Sequence, residues 1–308
     1  MIANDNSPKT SVLSLYRAQP FYTALHRYLK FGFGHFFMYT CGRFRPVRLF
    51  AMWVYSRRLV DTPRTGPSLV EAVDVDLILR TLDRDGISSG LRLRCDVIEE
   101  LRTFSLDSIC FGNGNPDFRF RYSDRKAAEL QYAKSFRLGT LNQALNACPT
   151  LRALTSDSKL LEIARRYLGV EPVLIGARMW WSFPGPADEL QQMQAGQGFH
   201  YDIDGYRAIA FFFYLTDVGA SDGPHVYIRG SHIDKALRHL FSLYRGRSDS
   251  DINSYYGTER HITLCGPAGF GFAEDIFGFH RGSPSAYGDR LLVQLRYGLR
   301  DYGAGHAD

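Results

Sequence analysis

The sequence has few cysteines, and none of them is placed for a disulfide framework or a thiolate metal site. The five cysteines of the 308-residue chain are scattered, and no two form a CxxC pair. Disulfide-rich secreted domains and structural zinc sites both depend on closely spaced cysteines. Their scarcity therefore excludes these two classes and favours a reducing compartment.

Long apolar runs are also absent. The longest uncharged stretch near the N-terminus is 31–42, and it contains His35 and three glycines. A helix that crosses a bilayer needs about 20 apolar residues. Residues 1–14 are polar and lack the apolar segment of a secretory signal peptide. We therefore expect neither a transmembrane helix nor a signal peptide.

Internal repeats and low-complexity tracts are missing as well, and the composition is that of a globular protein. Hydrophobic residues make up 45% of the chain and charged residues 22%, which excludes disordered and simple coiled-coil classes. The turn-rich stretch 61–68 has the composition of a linker. We predict a basic, aromatic helical extension over 1–65 and a main domain over 70–308.

Positive charge is concentrated in the predicted extension. Residues 1–65 hold ten Lys and Arg against Asp5 and Asp61, a net charge of +8, which leaves −3 for the rest of a chain with a total of +5. No helix-turn-helix, zinc-finger or RNP pattern points to nucleic acid, so we expect none as a partner. An anionic membrane surface suits the segment better, and a helical extension packed on the main domain is the alternative. The expected location is cytoplasmic, peripheral on the cytoplasmic face of the inner membrane, with no obligate protein partner.

Helical periodicity is clearest before residue 170. Predicted helices, in chain order, cover Val47–Leu59, Val73–Leu82, Val97–Phe104 and Ser156–Leu168. Gly169 follows the last of these at the position of a C-terminal cap. Within Val47–Leu59, an apolar side is expected from Val47, Phe50 and Val54.

Strand patterns dominate after Gly169. Predicted strands cover Val173–Phe183, Ala208–Leu215, His225–Ile228, Gly269–Phe272 and Leu291–Leu299. In the last of them, apolar residues alternate with Gln294 and Arg296, so the two faces of the strand differ. Helices followed by short strands and Gly/Pro/Asp turns predict a mainly β fold, an antiparallel sandwich or barrel with flanking helices.

Two histidines and an aspartate have the composition of an iron site. His200 and Asp202 are two residues apart, so an extended chain presents the imidazole and the carboxylate on one side. His280 follows 80 residues later, after the apolar strand at Gly269–Phe272. Two histidines and one carboxylate that leave positions open form the facial triad of non-haem Fe(II) oxygenases. We predict His200, Asp202 and His280 as metal ligands and catalytic residues.

Arg290 is a candidate anion-binding residue. It starts the strand Leu291–Leu299, ten residues after His280 and across a turn-rich stretch at 283–289. A hairpin at this turn is expected to bring the guanidinium back beside the metal. Its fork of donors matches a carboxylate, and a structural ion pair is the alternative role.

Four segments resemble the phytanoyl-CoA dioxygenase (PhyH-like) family. They are Gly198–Asp202 (GFHYD), Ala210–Val218 (AFFFYLTDV), Asp222–His232 (DGPHVYIRGSH) and His280–Pro284 (HRGSP) followed by Arg290. The resemblance extends over about 72–300. The sequence departs from the family pattern at two positions, with Arg229 in place of the usual proline and His225 in place of an aliphatic residue.

The resemblance implies a double-stranded β-helix (jelly-roll) core and a dioxygenase that uses Fe(II), 2-oxoglutarate and O2, with ascorbate as an optional addition. It implies that Arg290 holds the distal carboxylate of 2-oxoglutarate, with Ser182 as a second contact. Tyr201 and Arg229 are the expected substrate contacts. The implied reaction is hydroxylation of an unactivated C–H bond in an anionic substrate.

The substrate and the outcome of the reaction stay open at this stage. A lipid-linked substrate such as the Kdo sugar of lipid A suits the basic extension, so a Kdo hydroxylase is one interpretation. An acyl-CoA or a small secondary metabolite is the alternative substrate. Desaturation, cyclisation or epimerisation at the same iron site, and a non-catalytic binding protein with the same fold, are the alternative functions.

Overall fold

The structure, a computed structural model, describes residues 30–56, 66–185, 197–242 and 244–303. The strands in these ranges are β1 Ile87–Arg92, β2 Ile109–Gly112, β3 Arg119–Arg121, β4 Leu138–Thr140, β5 Val173–Ser182, β6 Ala208–Tyr214, β7 His225–Ile228, β8 His261–Leu264, β9 Phe270–Asp275, β10 His280–Gly282 and β11 Arg290–Gly298. The helices are α1 at 30–41, α2 Arg45–Ser56, α3 Val75–Asp85, α4 Cys95–Asp107, α5 Arg125–Gln131, α6 Ala144–Ala147, α7 Pro149–Leu154, α8 Ser158–Leu168, α9 Leu237–Phe241 and α10 Asp249–Tyr256.

Two antiparallel sheets form the centre of the molecule. The larger has the strand order β1-β9-β6-β11-β5-β4-β2-β3, and the smaller has the order β10-β7-β8. An apolar cluster that includes Phe212, Tyr214, Phe272 and Leu292 from the large sheet and Tyr227 from the small one fills the space between the sheets. The predicted antiparallel architecture with flanking helices is confirmed.

Both faces of the large sheet are buried, which explains its uninterrupted apolar strands. In β6, Ile209 and Phe211 point to a core formed with the helices, whereas Ala210 and Phe212 point to the space between the sheets. Strand β11 follows the same alternation, and its inner face carries Gln294 and Arg296, as the sequence predicted. A strand covered on both sides needs apolar residues at successive positions.

Helices α3, α4 and α8 cover the outer face of the large sheet. Asp157 caps the start of α8 by accepting hydrogen bonds from the backbone of Lys159 and Leu160, and Gly169 ends the helix with a φ of +69°. Only a residue that tolerates the left-handed region ends a helix in this way at low cost. The predicted helices and strands after residue 70 are confirmed, with boundaries that shift by a few residues.

The connection between β10 and β11 differs from the prediction. These strands do not form a hairpin, because β10 pairs with β7 in the small sheet and β11 pairs with β5 and β6 in the large one. The turn at 283–289 therefore crosses from one sheet to the other. Arg290 still returns to the neighbourhood of His280, but it approaches across the gap between the sheets.

Two arginines, Arg43 between α1 and α2 and Arg48 in α2, tie this helical pair to the rest of the protein. Arg43 donates to the carbonyls of Leu240 and Ser242, and Arg48 donates to the Tyr206 carbonyl and pairs with Asp275 at 3.4 Å. The remainder of the predicted extension, 1–29 and 57–65, lies outside the described residues.

The predicted apolar side of α2 faces mostly outward rather than toward the body of the protein. Ala51 is buried against the body of the protein, whereas Phe50 and Val54 are exposed. The helix carries apolar residues all round, so its inward face was not evident from the spacing of Val47, Phe50 and Val54.

Replacing the buried Asp275 with Asn is expected to lower the free energy of unfolding by about 3 kcal/mol, because it leaves the mostly buried guanidinium of Arg48 without its carboxylate. Asp275 also accepts a hydrogen bond from the Tyr167 hydroxyl at 2.6 Å. Burial alone would raise the pKa of Asp275, but Arg48, His232 and the hydrogen bond from Tyr167 hold it below its usual range. The carboxylate therefore stabilises the fold above the ordinary pKa of aspartate, and this stabilisation is lost as the pH falls.

Urea unfolding at pH 7 and at pH 3 measures this effect. The difference in the free energy of unfolding between wild type and Asp275→Asn should be smaller at pH 3 than at pH 7. Tyr167→Phe, which removes one hydrogen bond and no charge, is the matched control and should cost about 1 kcal/mol. An Asp275→Asn deficit that is equal at both pH values would contradict the role of the carboxylate charge.

Candidate metal centre

His200, Asp202 and His280 meet between the two sheets. One ligand atom from each of the three side chains lies within 4.8 Å of the other two. His200 and His280 face each other in a two-residue antiparallel bridge, with backbone N–O distances of 3.0 and 2.8 Å, and their ring centroids are 4.5 Å apart. The backbone therefore fixes both imidazoles, although His200 lies in an irregular extended segment rather than in a named strand.

The hydrogen bonds of the two histidines leave one nitrogen of each available to a metal. Nδ1 of His200 lies 2.9 Å from the carbonyl oxygen of Gly198, and Nδ1 of His280 lies 3.0 Å from that of Gly278. A carbonyl oxygen only accepts, so Nδ1 carries a proton, and in the neutral imidazole Nε2 is then the nitrogen with the lone pair. This is the arrangement that orients histidine ligands in metal sites.

The carboxylate of Asp202 is ionised and held by two arginines. Its Oδ1 accepts from Arg245 at 2.9 Å, and its Oδ2 pairs with Arg296 at 2.8 Å. Burial alone would raise the pKa of Asp202, but the neighbouring cations, Arg296 foremost, hold it well below its usual range. A carboxylate has about four acceptor positions, so these two contacts leave room for a metal ion.

His280 is held in its neutral form. Its side chain is buried, and burial lowers its pKa to about 4. Its Nε2 lies 3.8 Å from Oδ2 of Asp202. A neutral imidazole beside an ionised carboxylate is the donor set that suits Fe(II), so the residues present fit a metal of this kind.

A second polar pair lies beside the cluster. Nε2 of His225 is 2.7 Å from Glu274, and the His225 ring is 5.6 Å from that of His280. Glu274 is completely buried, and burial raises its pKa to about 7. His225, one of the two departures from the family pattern, is thus held inside the protein by its hydrogen bond to Glu274.

Arg290 is buried in the same interior. One guanidinium nitrogen donates to the carbonyl of Gly223, Nη2 donates to the hydroxyl of Ser182 at 3.1 Å, and Nε has no partner among the described residues. Burial lowers the pKa of Arg290, and no carboxylate of the described residues pairs with it. A buried cation without an anion is costly, so this site calls for an anionic ligand.

Strand β10 connects the metal cluster to Arg290, because it begins at His280 and passes beside the guanidinium. A Cβ placed on Gly282 would lie 3.2 Å from Nη2 of Arg290, so the guanidinium lies against the backbone two residues beyond His280. Ser182 faces Arg290 directly in the β5–β11 pairing. The structure thus brings together five predicted residues, namely His200, Asp202, His280, Arg290 and Ser182.

Two predicted substrate residues lie elsewhere. Tyr201 is fully buried, its ring packs edge-on against Phe277 and Phe279, and its hydroxyl donates to the carbonyl of His239. Arg229 is exposed in the turn after β7, with its guanidinium 3.5 Å from a backbone carbonyl. The structure does not bring either side chain to the metal ligands, because Tyr201 points to the far side of its segment and Arg229 points to solvent.

Three polar residues of the site had no assigned role in the sequence. Arg296 stands on the polar side of β11, and Glu274 follows the apolar residues of β9 just before its last residue, so both had a visible signal as charges beside apolar residues. Arg245 lies in a connection with no motif around it, and its contact with Asp202 spans 43 positions of the chain. Only the folded structure reveals it.

Comparison with solved structures identifies the fold. EvdO2 from Micromonospora carbonacea var. aurantiaca, complexed with 2-oxoglutarate, matches with a TM-score of 0.53 and 14% identity over 75% of this chain and 93% of its own. HygX from Streptomyces hygroscopicus, with nickel and 2-oxoglutarate bound, matches with a TM-score of 0.50 and 17% identity over 74% and 87%. No family model and no curated protein sequence matches the chain.

At these identities the likeness establishes the fold alone, and the predicted double-stranded β-helix is confirmed. The resemblance to the PhyH-like family in particular stays a prediction.

Proposed function

We propose that this protein is an Fe(II)- and 2-oxoglutarate-dependent oxygenase, related to the PhyH-like family. The observation that carries the proposal is the pairing of a His–Asp–His ligand set with a buried, anion-free guanidinium on the same interior surface. A metal alone would need no such cation. A cosubstrate that offers a chelating end to the metal and a carboxylate at the other end accounts for both features.

Each residue then has a defined part in binding. His200, Asp202 and His280 would hold the metal ion through Nε2, a carboxylate oxygen and Nε2. Arg290 would bind the distal carboxylate through its charged donors, and the Ser182 hydroxyl would orient the guanidinium. Bound Fe(II) and 2-oxoglutarate would supply, with O2, the oxidising chemistry that attacks an unactivated C–H bond.

Aromatic side chains pack against His225 beside the metal cluster. Phe212 and Phe272 stack at 4.9 Å, and both contact the His225 ring at about 5 Å between centroids. In a dry cavity, charged contacts such as that of Arg290 with a carboxylate are stronger than in water. The protein therefore contributes orientation and desolvation.

Hydroxylation of an anionic substrate is the reaction we propose. Arg245 supports this choice, since its side chain is a quarter exposed and reaches the metal ligand Asp202. A cation at that place suits a carboxylate or phosphate on the substrate. The Kdo sugar of lipid A, which is lipid-linked, is the proposed example, and an acyl-CoA or a small secondary metabolite is the alternative.

Release of labelled CO2 from 1-labelled 2-oxoglutarate tests the class. We expect release that requires protein, Fe(II) and O2 together, because the cosubstrate is decarboxylated in turnover. His200→Ala is the control and should reduce release to the background level. Wild-type protein that binds 2-oxoglutarate but releases no CO2 with any substrate offered would support the binding-protein alternative.

The substrate is tested separately by mass spectrometry. Kdo-lipid A, an acyl-CoA panel and a free amino-acid panel are incubated with enzyme, Fe(II), 2-oxoglutarate and O2. A gain of one oxygen on an anionic lipid-linked compound is the expected result. Turnover confined to amino acids would overturn the substrate proposal and leave the oxygenase class standing, whereas a product without the added oxygen would overturn hydroxylation.

A further inference from the structure

The outward side of α2 exposes four large apolar side chains within two turns. Leu49, Phe50, Trp53 and Val54 are 58%, 65%, 53% and 42% exposed, and the rings of Phe50 and Trp53 stack at 5.8 Å. We call these four residues the α2 patch. Leu49 and Trp53 are four positions apart, as are Phe50 and Val54, so the four side chains lie on one side of the helix.

Similar exposure occurs on the neighbouring elements. On α1, Phe33 and Phe37 are exposed, and Phe241 on α9 is exposed while its ring contacts Phe44 between α1 and α2. Within the ranges that the structure describes, every exposed phenylalanine or tryptophan lies on α1, on α2 or at this contact. Single exposed apolar residues are ordinary, but such a concentration marks an interaction surface.

The orientation of α2 is fixed from its other side. Ala51 is buried, and Arg48 is bound to the Tyr206 carbonyl and to Asp275. A rotation that buried the α2 patch would break the Arg48 contacts. The patch is therefore presented to the outside by the packing of the helix.

Charge indicates what this surface binds. Residues 30–56 contain Lys30, Arg43, Arg45 and Arg48 and no acidic residue. Arg43 and Arg48 are held inside the protein, whereas Lys30 and Arg45 are exposed. In the sequence, Arg57 and Arg58 follow directly. Aromatic and basic side chains together suit the headgroup region of an anionic bilayer.

The geometry points to a helix that lies in the plane of the bilayer surface. The 12 residues of α2 span about 18 Å, whereas the hydrocarbon core is about 30 Å thick. No helix among the described residues is long and apolar enough to cross a membrane. We propose that the α2 patch, with Arg45 at the start of the same helix and Lys30 at the start of α1, docks the protein on an anionic membrane surface.

Helix α1, which carries part of the exposed surface, contacts the metal cluster through its buried side. Arg245, which donates to Asp202, lies over the ring of the buried Tyr39 on α1 at 5.9 Å. Docking through α1 and α2 would therefore engage a helix that is connected to the metal cluster through Arg245. Membrane binding requires no turnover, so this proposal and the proposed reaction can fail independently.

Flotation with vesicles tests the proposal on the full chain. Wild-type protein should float with phosphatidylcholine vesicles that contain phosphatidylglycerol, and should bind pure phosphatidylcholine weakly. The double variant Phe50→Ser/Trp53→Ser should bind roughly tenfold less tightly or worse, since it removes two buried apolar contacts with the lipid. Leu130→Ser is the matched control, because Leu130 is 83% exposed on α5, outside the patch, and it should bind like wild type.

Tryptophan fluorescence locates the contact. Of the three tryptophans, only Trp53 is exposed, so brominated lipid should quench the emission of wild type and not that of Trp53→Phe, which should still float. Equal flotation of wild type and the double variant would overturn the proposal. So would a dimer in gel filtration that the double variant abolishes together with an absence of vesicle binding, because the patch would then be a contact between two copies.

Discussion

Arg290→Met is expected to raise the dissociation constant of 2-oxoglutarate about a hundredfold, since charge-assisted hydrogen bonds of a guanidinium to a carboxylate contribute up to about 3 kcal/mol. Fe(II) binding should be unchanged, because Arg290 touches none of the three ligands. Anaerobic isothermal titration of the Fe(II)-loaded protein with 2-oxoglutarate measures its dissociation constant. Titration of the metal-free protein with Fe(II) measures Fe(II) binding.

The free energy of unfolding distinguishes a role of Arg290 in binding 2-oxoglutarate from a structural role. Arg290 has no carboxylate partner among the described residues, so removal of its buried charge should leave the free energy of unfolding of the apo protein unchanged or raise it. Arg290→Lys keeps a charge but lacks the fork, and we expect an intermediate dissociation constant. A destabilised Arg290→Met variant with wild-type affinity for 2-oxoglutarate would indicate a structural residue instead.

The second large effect is expected at the metal ligands. His280→Ala and His200→Ala should each lose the bound Fe(II), which wild type should hold in a ratio of one per chain. Loss of a residue that merely orients a ligand weakens metal binding by about 10- to 100-fold, so loss of a ligand should exceed this range. Metal analysis after desalting, together with the affinity for Fe(II), gives the measurement.

A matched control comes from a histidine outside the cluster. His261 starts β8 and belongs to no group of metal-binding side chains among the described residues. His261→Ala should retain the wild-type metal content. If either ligand variant also retained it, His200 and His280 would not be the ligands.

The fold was predictable where one physical signal dominates. Strands β5, β6 and β11 carry continuous or alternating apolar residues because both faces of the large sheet are covered. Helix α8 carries its own start and stop signals in Asp157 and Gly169. The three-residue strands β3, β4 and β10 were not predicted, because their pairing depends on partners far along the chain rather than on their own sequence.

The site was predictable to the extent that its residues lie in motifs. His200 and Asp202 share one segment, and the turn before Arg290 marks a return to the interior. The route of that return was predicted wrongly, because turn residues do not reveal which sheet the next strand joins. Arg245 reaches the site through tertiary packing alone, so its role becomes visible only in the structure.

One interior site should bind both a metal ion and 2-oxoglutarate. An anaerobic titration of the Fe(II)-loaded protein with 2-oxoglutarate, followed by visible absorption, measures this joint binding. We expect a charge-transfer band that saturates at one equivalent per chain, is absent from His280→Ala and needs far more 2-oxoglutarate in Arg290→Met. If Fe(II)-loaded wild-type protein develops no band at any concentration of 2-oxoglutarate, the metal ion and 2-oxoglutarate do not share this site.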